Sequence, residues 1–262
     1  MRLTAEQLNH YETFGFLIFR QLLTAKEMAR YRSEFNTALD SWTDDGQHDR
    51  KKRHYASLME QESPFIASLA DDPRFADVAE QLIGSDAICI AVDGNYMVGD
   101  TAWHCDTGSL DYKAVKFCIY PDPLSASDGA LRVIPGSHRE PFHSRLSREP
   151  QTEFGVTADE VPAQVFETQP GDIVVFNIGL WHGAFRGNNH RRQGVIVYYE
   201  DPQTPAATTQ VQQAMQGNQK MYAGLGHKMY GEHWRSVDDP RHQRWLRRLD
   251  ELGVLETPPS EA

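Results

Sequence analysis

The first 85 positions contain two helix starts with an apolar segment between them. At positions 4–7 and 24–27 a threonine is followed three residues later by Gln7 or Glu27, which is the capping-box spacing that begins a helix. The intervening segment 14–19, FGFLIF, is short and aromatic, which is typical of a strand. The pattern predicts a helix, a strand and a second helix over about 24–42.

The rest of this opening region contains a polar stretch and one more helix. Residues 43–54 are polar and include a basic cluster at 50–53, which indicates a solvated loop. A short helix is predicted over 73–83, ended by Gly84.

From 87 to about 199 the pattern changes to short apolar segments separated by Gly, Pro, Asp and Asn. These segments are AICIAVDGNYMV, YKAVKFCIYP, GALRVIPG, AQVFETQPGDIVVFN and RQGVIVYYE. Their regular spacing predicts an antiparallel sandwich or barrel rather than βαβ units. After Pro202 an amphipathic helix is predicted over 242–252, with Trp245, Leu246 and Leu249 on its apolar face.

Length and charge narrow the possible functions. The 262 residues are sufficient for a single domain, with a helical opening region (1–85), a β core (86–201) and a helical C-terminal extension (202–262). The net charge of −11 disfavours nucleic-acid binding, and no apolar run approaches the roughly 20 residues of a membrane span. A small molecule is the expected partner, while the oligomeric state stays open. Three cysteines, an odd number, indicate reduced thiols and a cytoplasmic location.

One cluster of residues indicates specific chemistry. His104 and Asp106 lie two positions apart, so on a strand they face the same side while Cys105 faces away. His182 follows a strongly β stretch that begins at Asp172, and it could complete the set. Two imidazoles and one carboxylate form the facial triad of non-haem Fe(II) oxygenases. The alternative is that each histidine is an ordinary core or surface residue.

An arginine downstream strengthens the metal-site interpretation. Arg192 opens the strand RQGVIVYYE, and an antiparallel return would bring its guanidinium towards the metal side. A guanidinium fork suits a carboxylate, such as the far end of a dicarboxylate that chelates iron through its keto acid. The alternative is a surface arginine paired with one of many acids.

These segments together resemble the phytanoyl-CoA dioxygenase family of Fe(II)- and 2-oxoglutarate-dependent oxygenases. The resemblance runs from the N-terminal helices to about 201, and four segments carry it. They are LTAEQLNHYETFGFLIFRQLLTAKEM, WHCD, SASDGALRVIPGSHR and GDIVVFNIGLWHGAFRGNNHRRQGVIVYY. It implies a mainly β fold with flanking helices, the double-stranded β-helix or cupin-like jelly roll.

The resemblance also implies the roles of individual residues. His104, Asp106 and His182 would hold Fe(II), and Arg192 would anchor 2-oxoglutarate, with O₂ as the second cosubstrate. Arg192 is preferred to its neighbour Arg191 because the family places this arginine directly ahead of an apolar run. Related halogenases replace the carboxylate ligand by a small residue, so the presence of Asp106 favours hydroxylation with release of succinate and CO₂.

Two weaker candidates for contact with the cosubstrate lie on strands of the β core. Lys116 shares a strand face with Cys118 and Tyr120 and could touch 2-oxoglutarate or an anionic substrate group; a snorkelling lysine at a strand edge is the alternative. Asn95 could hydrogen-bond the cosubstrate, or it could form a turn after Asp93 and Gly94. The family also places a lysine near the basic cluster at 50–53, although no single residue there can be named.

The substrate is the least determined part of the function. Lys116, Arg132 and Arg186 favour a polar or anionic small molecule, while the segment WHCDTGSLDYKAVK differs from the longer one of ectoine hydroxylases. The same oxidative chemistry could instead give desaturation, epimerisation or ring formation. A metalloenzyme of the cupin type that uses no keto acid, or a non-catalytic member of the fold, is the remaining alternative.

Overall fold

The architecture is a pair of antiparallel sheets with helices packed around them. The computed structural model describes residues 1–43, 46–107, 109–146, 149–187, 191–225 and 228–256. The strands are β1 (Phe16–Phe19), β2 (His54–Ser57), β3 (Ala87–Met97), β4 (Thr101–His104), β5 (Ala114–Ile119), β6 (Leu131–Val133), β7 (Gln164–Phe166), β8 (Ile173–Asn177), β9 (His182–Ala184) and β10 (Arg191–Glu200).

The helices fall mainly before and after the β core. They are α1 (Ala5–Phe14), α2 (Ala25–Ser41), α3 (Pro64–Ser68), α4 (Ala76–Ile83), α5 (Phe142–Arg145), α6 (Pro150–Phe154), α7 (Pro205–Gly224), α8 (Glu232–Arg235) and α9 (Pro240–Glu251), with a 3₁₀ turn at Ala158–Glu160. Among the helices of the described residues, none has both the length and the apolar character that crossing a membrane requires.

The strands form one large and one small sheet. The large sheet has the order β1-β8-β5-β10-β3-β2, and the small sheet has the order β4-β9-β6-β7. All pairings are antiparallel, as the regular spacing of apolar segments predicted. The opening region contributes β1 and β2 to the large sheet, so it is part of the β core as well as a helical cover. The division into three regions of a single domain stays a prediction.

Local sequence signals explain the first helices. The hydroxyls of Thr4 and Thr24 accept from the backbone N–H of Gln7 and Glu27, whose side chains in turn accept from the threonine N–H groups. Both predicted capping boxes are therefore confirmed. Two boundaries differ from the sequence prediction. The helix predicted over 73–83 begins at Ala76, and the predicted loop 43–54 ends where β2 begins.

Helix α2 packs on the outer face of the large sheet, away from the small sheet. Gly94 of β3 and Gly194 of β10 are paired across the sheet. A Cβ on Gly194 would overlap the hydroxyl of Tyr31, and one on Gly94 would press on Phe35. These glycines let α2 approach the sheet closely, which identifies the outer face of β3 and β10.

Candidate metal centre

Two neighbouring strands of the small sheet, β4 and β9, bring the predicted triad together. His104 ends β4, His182 begins β9, and the two residues are directly paired in register. Asp106 follows β4 by two residues, and its backbone N–H donates to the carbonyl of Ile178 at 3.0 Å. The potential ligand atoms of the three residues all lie within 4.8 Å of one another. The pairing of β4 with β9 thus brings together two histidines that lie far apart in sequence.

Backbone carbonyls orient both imidazoles towards a common point. The Nδ1 of His104 lies 2.8 Å from the carbonyl oxygen of Ala102, and the Nδ1 of His182 lies 2.9 Å from that of Leu180. A carbonyl only accepts, so each Nδ1 carries the proton and each Nε2 presents a lone pair. The Nε2 atoms lie 3.7 Å and 3.6 Å from the carboxylate oxygens of Asp106. Two neutral nitrogens and one carboxylate fit a divalent iron with open positions.

The protonation states of the ligands also suit a metal. Burial lowers the pKa of His182 to about 4, so this imidazole is neutral at physiological pH. Desolvation alone would raise the pKa of Asp106, but the charge of Lys116, followed by those of the two histidines, lowers it well below the usual range. Metal binding at neutral pH therefore requires little proton release.

A cavity of about 300 Å³ opens between the two sheets in front of the triad. Its lining includes alternate residues of β10, namely Arg191, Gln193, Val195, Val197 and Tyr199. Alternate residues of β3 also contribute, because Ala91, Asp93, Asn95 and Met97 line the same space. The inner faces of β3 and β10 thus form one wall, and the triad lies on the opposite wall.

The alternation on β10 corrects the prediction for Arg192. Arg192 lies on the outer face, where it donates to Asp122 at 2.8 and 2.6 Å and to the side chain of Asn36 at 2.9 Å. The antiparallel return occurs as predicted, but side chains alternate along a strand, so it is Arg191 that faces the cavity. The expected position of the guanidinium was wrong by one residue.

Among the described residues, the hydrogen-bond partners of the buried Arg191 are neutral. Its side chain donates to the carbonyl of Gly129 and to the hydroxyl of Thr101, both at 3.1 Å, and the residue is only 3% exposed. Within the part of the chain that the structure describes, no ion pair joins Arg191 to an acid, whereas Arg192 has one. Burial lowers the pKa of Arg191. A buried cation whose hydrogen bonds go to neutral groups favours an anionic ligand.

Two glycines make the space that Arg191 occupies. A Cβ on Gly129 would overlap its Nη1, and a Cβ on Gly187 would lie 2.6 Å from the same atom. Only a residue without a side chain fits at either position while the guanidinium keeps this place.

Lys116 and Asn95 both line the cavity. Lys116 lies on β5, an inner strand of the large sheet, and its Nζ donates to Asp106 at 2.8 Å. The alternative of a snorkelling lysine at a sheet edge is therefore wrong. Asn95 lies within β3 opposite Gln193, so the turn alternative is wrong as well. Contact of either residue with 2-oxoglutarate stays a prediction.

Two arginines cited for an anionic substrate lie elsewhere. Arg186 pairs with the carboxylate of Asp159 at 2.7 Å, and Arg132 donates to the carbonyls of Asp159 and Ala126. Neither lines the cavity, which removes two of the three cations behind that expectation.

Several cavity residues were not singled out from the sequence. Arg53, Tyr55 and Asp93 line the cavity, and only the basic cluster that contains Arg53 had been noted. Asp93 and Asn95 share the inner face of β3, so the alternation of side chains along this strand was the signal that could have found Asp93.

The amino-acid sequence matches a known protein family. The family model of "Phytanoyl-CoA dioxygenase (PhyH)" matches residues 11–194, more than two thirds of the chain. An ectoine dioxygenase of Nocardia farcinica is 29% identical over 214 residues, 69% of this chain and 72% of that protein. Another, of Sphingopyxis alaskensis, is 25% identical over 215 residues, 70% of each chain.

A solved structure shares the fold. The crystal structure of HygX from Streptomyces hygroscopicus, with nickel and 2-oxoglutarate bound, matches with a TM-score of 0.62 at 21% identity. The match covers 79% of this chain and 94% of HygX. The predicted jelly-roll fold is confirmed.

The extent of the family match confirms the resemblance inferred from the four sequence segments. The predicted enzyme class, a non-haem dioxygenase that uses iron, 2-oxoglutarate and O₂, is confirmed with it. The chain belongs to the phytanoyl-CoA dioxygenase family.

Proposed function

We propose that this enzyme hydroxylates an unactivated C–H bond of a polar small molecule. One C–H bond, one 2-oxoglutarate and one O₂ would give an alcohol, succinate and CO₂. The observation that supports this most strongly is the pairing, in one cavity, of a facial triad with the buried guanidinium of Arg191. A buried guanidinium that faces the metal cavity suits the distal carboxylate of a keto-acid cosubstrate.

His104, Asp106 and His182 would hold the iron, and Oδ2 of Asp106 accepts from Lys116. Bound iron would supply the redox chemistry that couples decarboxylation of 2-oxoglutarate to oxidation of the substrate. The protein supplies position and charge: the two backbone carbonyls fix the imidazoles, and Lys116 holds the carboxylate in place.

Arg191, rather than Arg192, would bind the distal carboxylate of 2-oxoglutarate. Its guanidinium can present a planar fork of donors, and Thr101 and Gly129 hold it from behind. Asn95, Gln193 and Tyr120 line the same cavity as polar neighbours, and Gln193 donates to the Tyr120 hydroxyl at 3.0 Å. These contacts order the polar wall before the cosubstrate arrives.

Hydroxylation is preferred because Asp106 fills the ligand position that related halogenases leave open. For the substrate, a polar molecule is preferred to an anionic one, because Arg132 and Arg186 point to Asp159 and not into the cavity. The cytoplasmic location stays a prediction. Among the described residues, Cys89, Cys105 and Cys118 form no disulfide.

The test is turnover by iron-loaded protein. Succinate and O₂ uptake are measured with 2-oxoglutarate and a panel of polar small molecules, beginning with ectoine because the matched relatives are ectoine dioxygenases. The proposal expects coupled succinate formation and a product one oxygen heavier. Asp106→Ala should abolish both, while Asp111→Asn, an exposed carboxylate nearby, should not.

Two outcomes would contradict the proposal. Iron binding without any 2-oxoglutarate-dependent spectral change or succinate would favour the keto-acid-independent alternative. Succinate coupled to a product that has lost two hydrogens, or that differs only in stereochemistry, would replace hydroxylation by desaturation or epimerisation.

A further inference from the structure

A carboxylate, Asp93, lies in the cavity wall away from the predicted cosubstrate end. Asp93 is on the inner face of β3, opposite Val195 of β10, and is 8% exposed. Val195 is four residues beyond Arg191, which is about 13 Å along the strand. The cavity therefore has a cationic end at Arg191 and an acidic position at Asp93.

The partners of Asp93 are neutral. Tyr222 of α7 donates its hydroxyl hydrogen to Oδ1 of Asp93, and the hydroxyl of Tyr55 lies 3.2 Å from that of Tyr222. Among the described residues, no lysine, arginine or histidine forms an ion pair with Asp93; Lys116, the nearest cation in the lining, is bonded to Asp106. Asp93 is thus the carboxylate in the lining that neither the triad nor a salt bridge uses.

Burial of the Asp93 carboxylate is energetically costly. Burial raises the pKa of Asp93, because the charged form loses hydration. The hydroxyls of Tyr222 and Tyr55 and the charge of Lys116 act in the opposite direction without outweighing burial. A positively charged group that enters the cavity would compensate the carboxylate, as an ion pair does in a low-dielectric site.

The surroundings of Asp93 fit a small molecule with an apolar body. Ile90, Val197 and Ile178 line the same cavity as Asp93. Helix α7 covers this part of the cavity with Asn218 and Met221, and Met221 is 41% exposed. A substrate could thus place carbon atoms between the apolar walls, between Asp93 and the triad.

We propose that Asp93 binds a protonated nitrogen group of the substrate, an ammonium or an amidinium, and so selects basic small molecules. The inference rests on the proposed function, because it treats this part of the cavity as the substrate side. The bond between Tyr222 and Oδ1 positions the carboxylate, while substrate contacts Asp93 itself.

The test compares ligands of nearly equal shape and different charge. Butylammonium, 1-butanol and butyrate are titrated calorimetrically into the anaerobic Fe(II)- and 2-oxoglutarate-loaded enzyme. A charge-assisted hydrogen bond to a buried carboxylate should give butylammonium a Kd at least about tenfold lower than that of 1-butanol. Asp93→Asn should remove this preference. The surface control Asp111→Asn should keep it.

If Asp93→Asn does not fold, the three titrations of the wild-type enzyme still test the proposal. Equal affinity for butylammonium and 1-butanol, or preference for butyrate, would overturn the proposal. So would an unchanged preference in a folded Asp93→Asn protein.

The visible absorption band that forms between Fe(II) and 2-oxoglutarate is recorded on the same samples. Absence of this band with intact cation preference would reject the proposed function and leave Asp93 as a cation site. The band without cation preference would reject only the assignment of Asp93.

Discussion

The two faces of β10 assign opposite roles to two adjacent arginines. Arg192 on the outer face is held by Asp122 and Asn36. Among the described residues, Arg191 on the inner face is held by a carbonyl and a hydroxyl. The residue type and the position in sequence are almost the same. The outer guanidinium is paired with an acid, while the described partners of the inner one are neutral, which suits an anionic ligand.

The same contrast extends along the strand. On the outer face, Gly194 meets Tyr31 and Tyr198 donates to the carbonyl of Ala70, so these contacts are internal to the fold. On the inner face, Val195 and Val197 border open space. Changes on the inner face should alter ligand binding, and changes on the outer face should alter stability.

The largest effect is expected at the triad, opposite the inner face. His182→Ala removes one of three ligands together with an Nε2 already aimed at the site, so iron stoichiometry should fall from one to near zero at micromolar metal. His233→Ala, on α8 away from the cavity, should still bind one iron. Metal analysis after gel filtration measures both, and full iron retention by His182→Ala would contradict the triad.

The second-largest effect is expected when the space around Arg191 is filled. Gly129→Ala places a Cβ on Nη1 and should displace the guanidinium, which weakens 2-oxoglutarate binding about tenfold by loss of one charge-assisted bond. The positive φ of 77° at Gly129 adds a cost of about 1–2 kcal/mol in stability. Calorimetry with 2-oxoglutarate and chemical unfolding separate the two effects.

Gly217→Ala, on α7, is the matched control, because a Cβ at this position would have no described atom within 4 Å. It should leave 2-oxoglutarate affinity unchanged. Equal loss of affinity in both variants would show that the weaker binding of 2-oxoglutarate does not come from the space around Arg191.

An outer-face change should affect stability alone. Arg192→Gln breaks the two bonds to Asp122 and should lower the free energy of unfolding by about 1–2 kcal/mol, since the pair is partly buried. Asp122→Asn should cost a similar amount, and the double variant should cost less than the sum. Urea unfolding measures the cycle, and strict additivity would contradict the pairing.

The smallest effect is a pH dependence far from the cavity. The bond from Arg74, aided by the Thr24 cap, lowers the pKa of Glu27 to about 2 from its usual 4.5. The stabilisation from Glu27 is complete above about pH 4.5 and should disappear as the pH falls towards 2. Glu27→Gln should lack this component, at a cost of about 1 kcal/mol at neutral pH. If the difference in free energy of unfolding between wild type and Glu27→Gln does not shrink below pH 4.5, the predicted role of Glu27 is contradicted.

The sequence was sufficient to predict that the three residues of the triad lie together. It was not sufficient to predict which arginine of β10 faces the cavity. His104, Asp106 and His182 stood out because their residue types are distinctive and their spacing matches one metal geometry. The choice between Arg191 and Arg192 depends on the phase of the strand. The middle of β10 is apolar on both faces, with Val195 inside and Ile196 outside, so no polar alternation there marks that phase.

Asp93 was missed for a related reason. Asp93, Gly94 and Asn95 have the composition of a turn, but they lie inside β3. Gly94 is there because Phe35 of α2 approaches the sheet, a tertiary contact that local sequence does not reveal. The capping boxes, by contrast, involve residues three positions apart and could be predicted directly.

The central claim is that Arg191, and not Arg192, binds 2-oxoglutarate. We would titrate the anaerobic Fe(II)-loaded wild type, Arg191→Gln and Arg192→Gln with 2-oxoglutarate and follow the visible metal-to-ligand band. Loss of two charge-assisted bonds predicts an affinity at least about 100-fold weaker for Arg191→Gln, and an affinity within about twofold of wild type for Arg192→Gln. The reverse order, or equal loss in both variants, would contradict the assignment of the two faces.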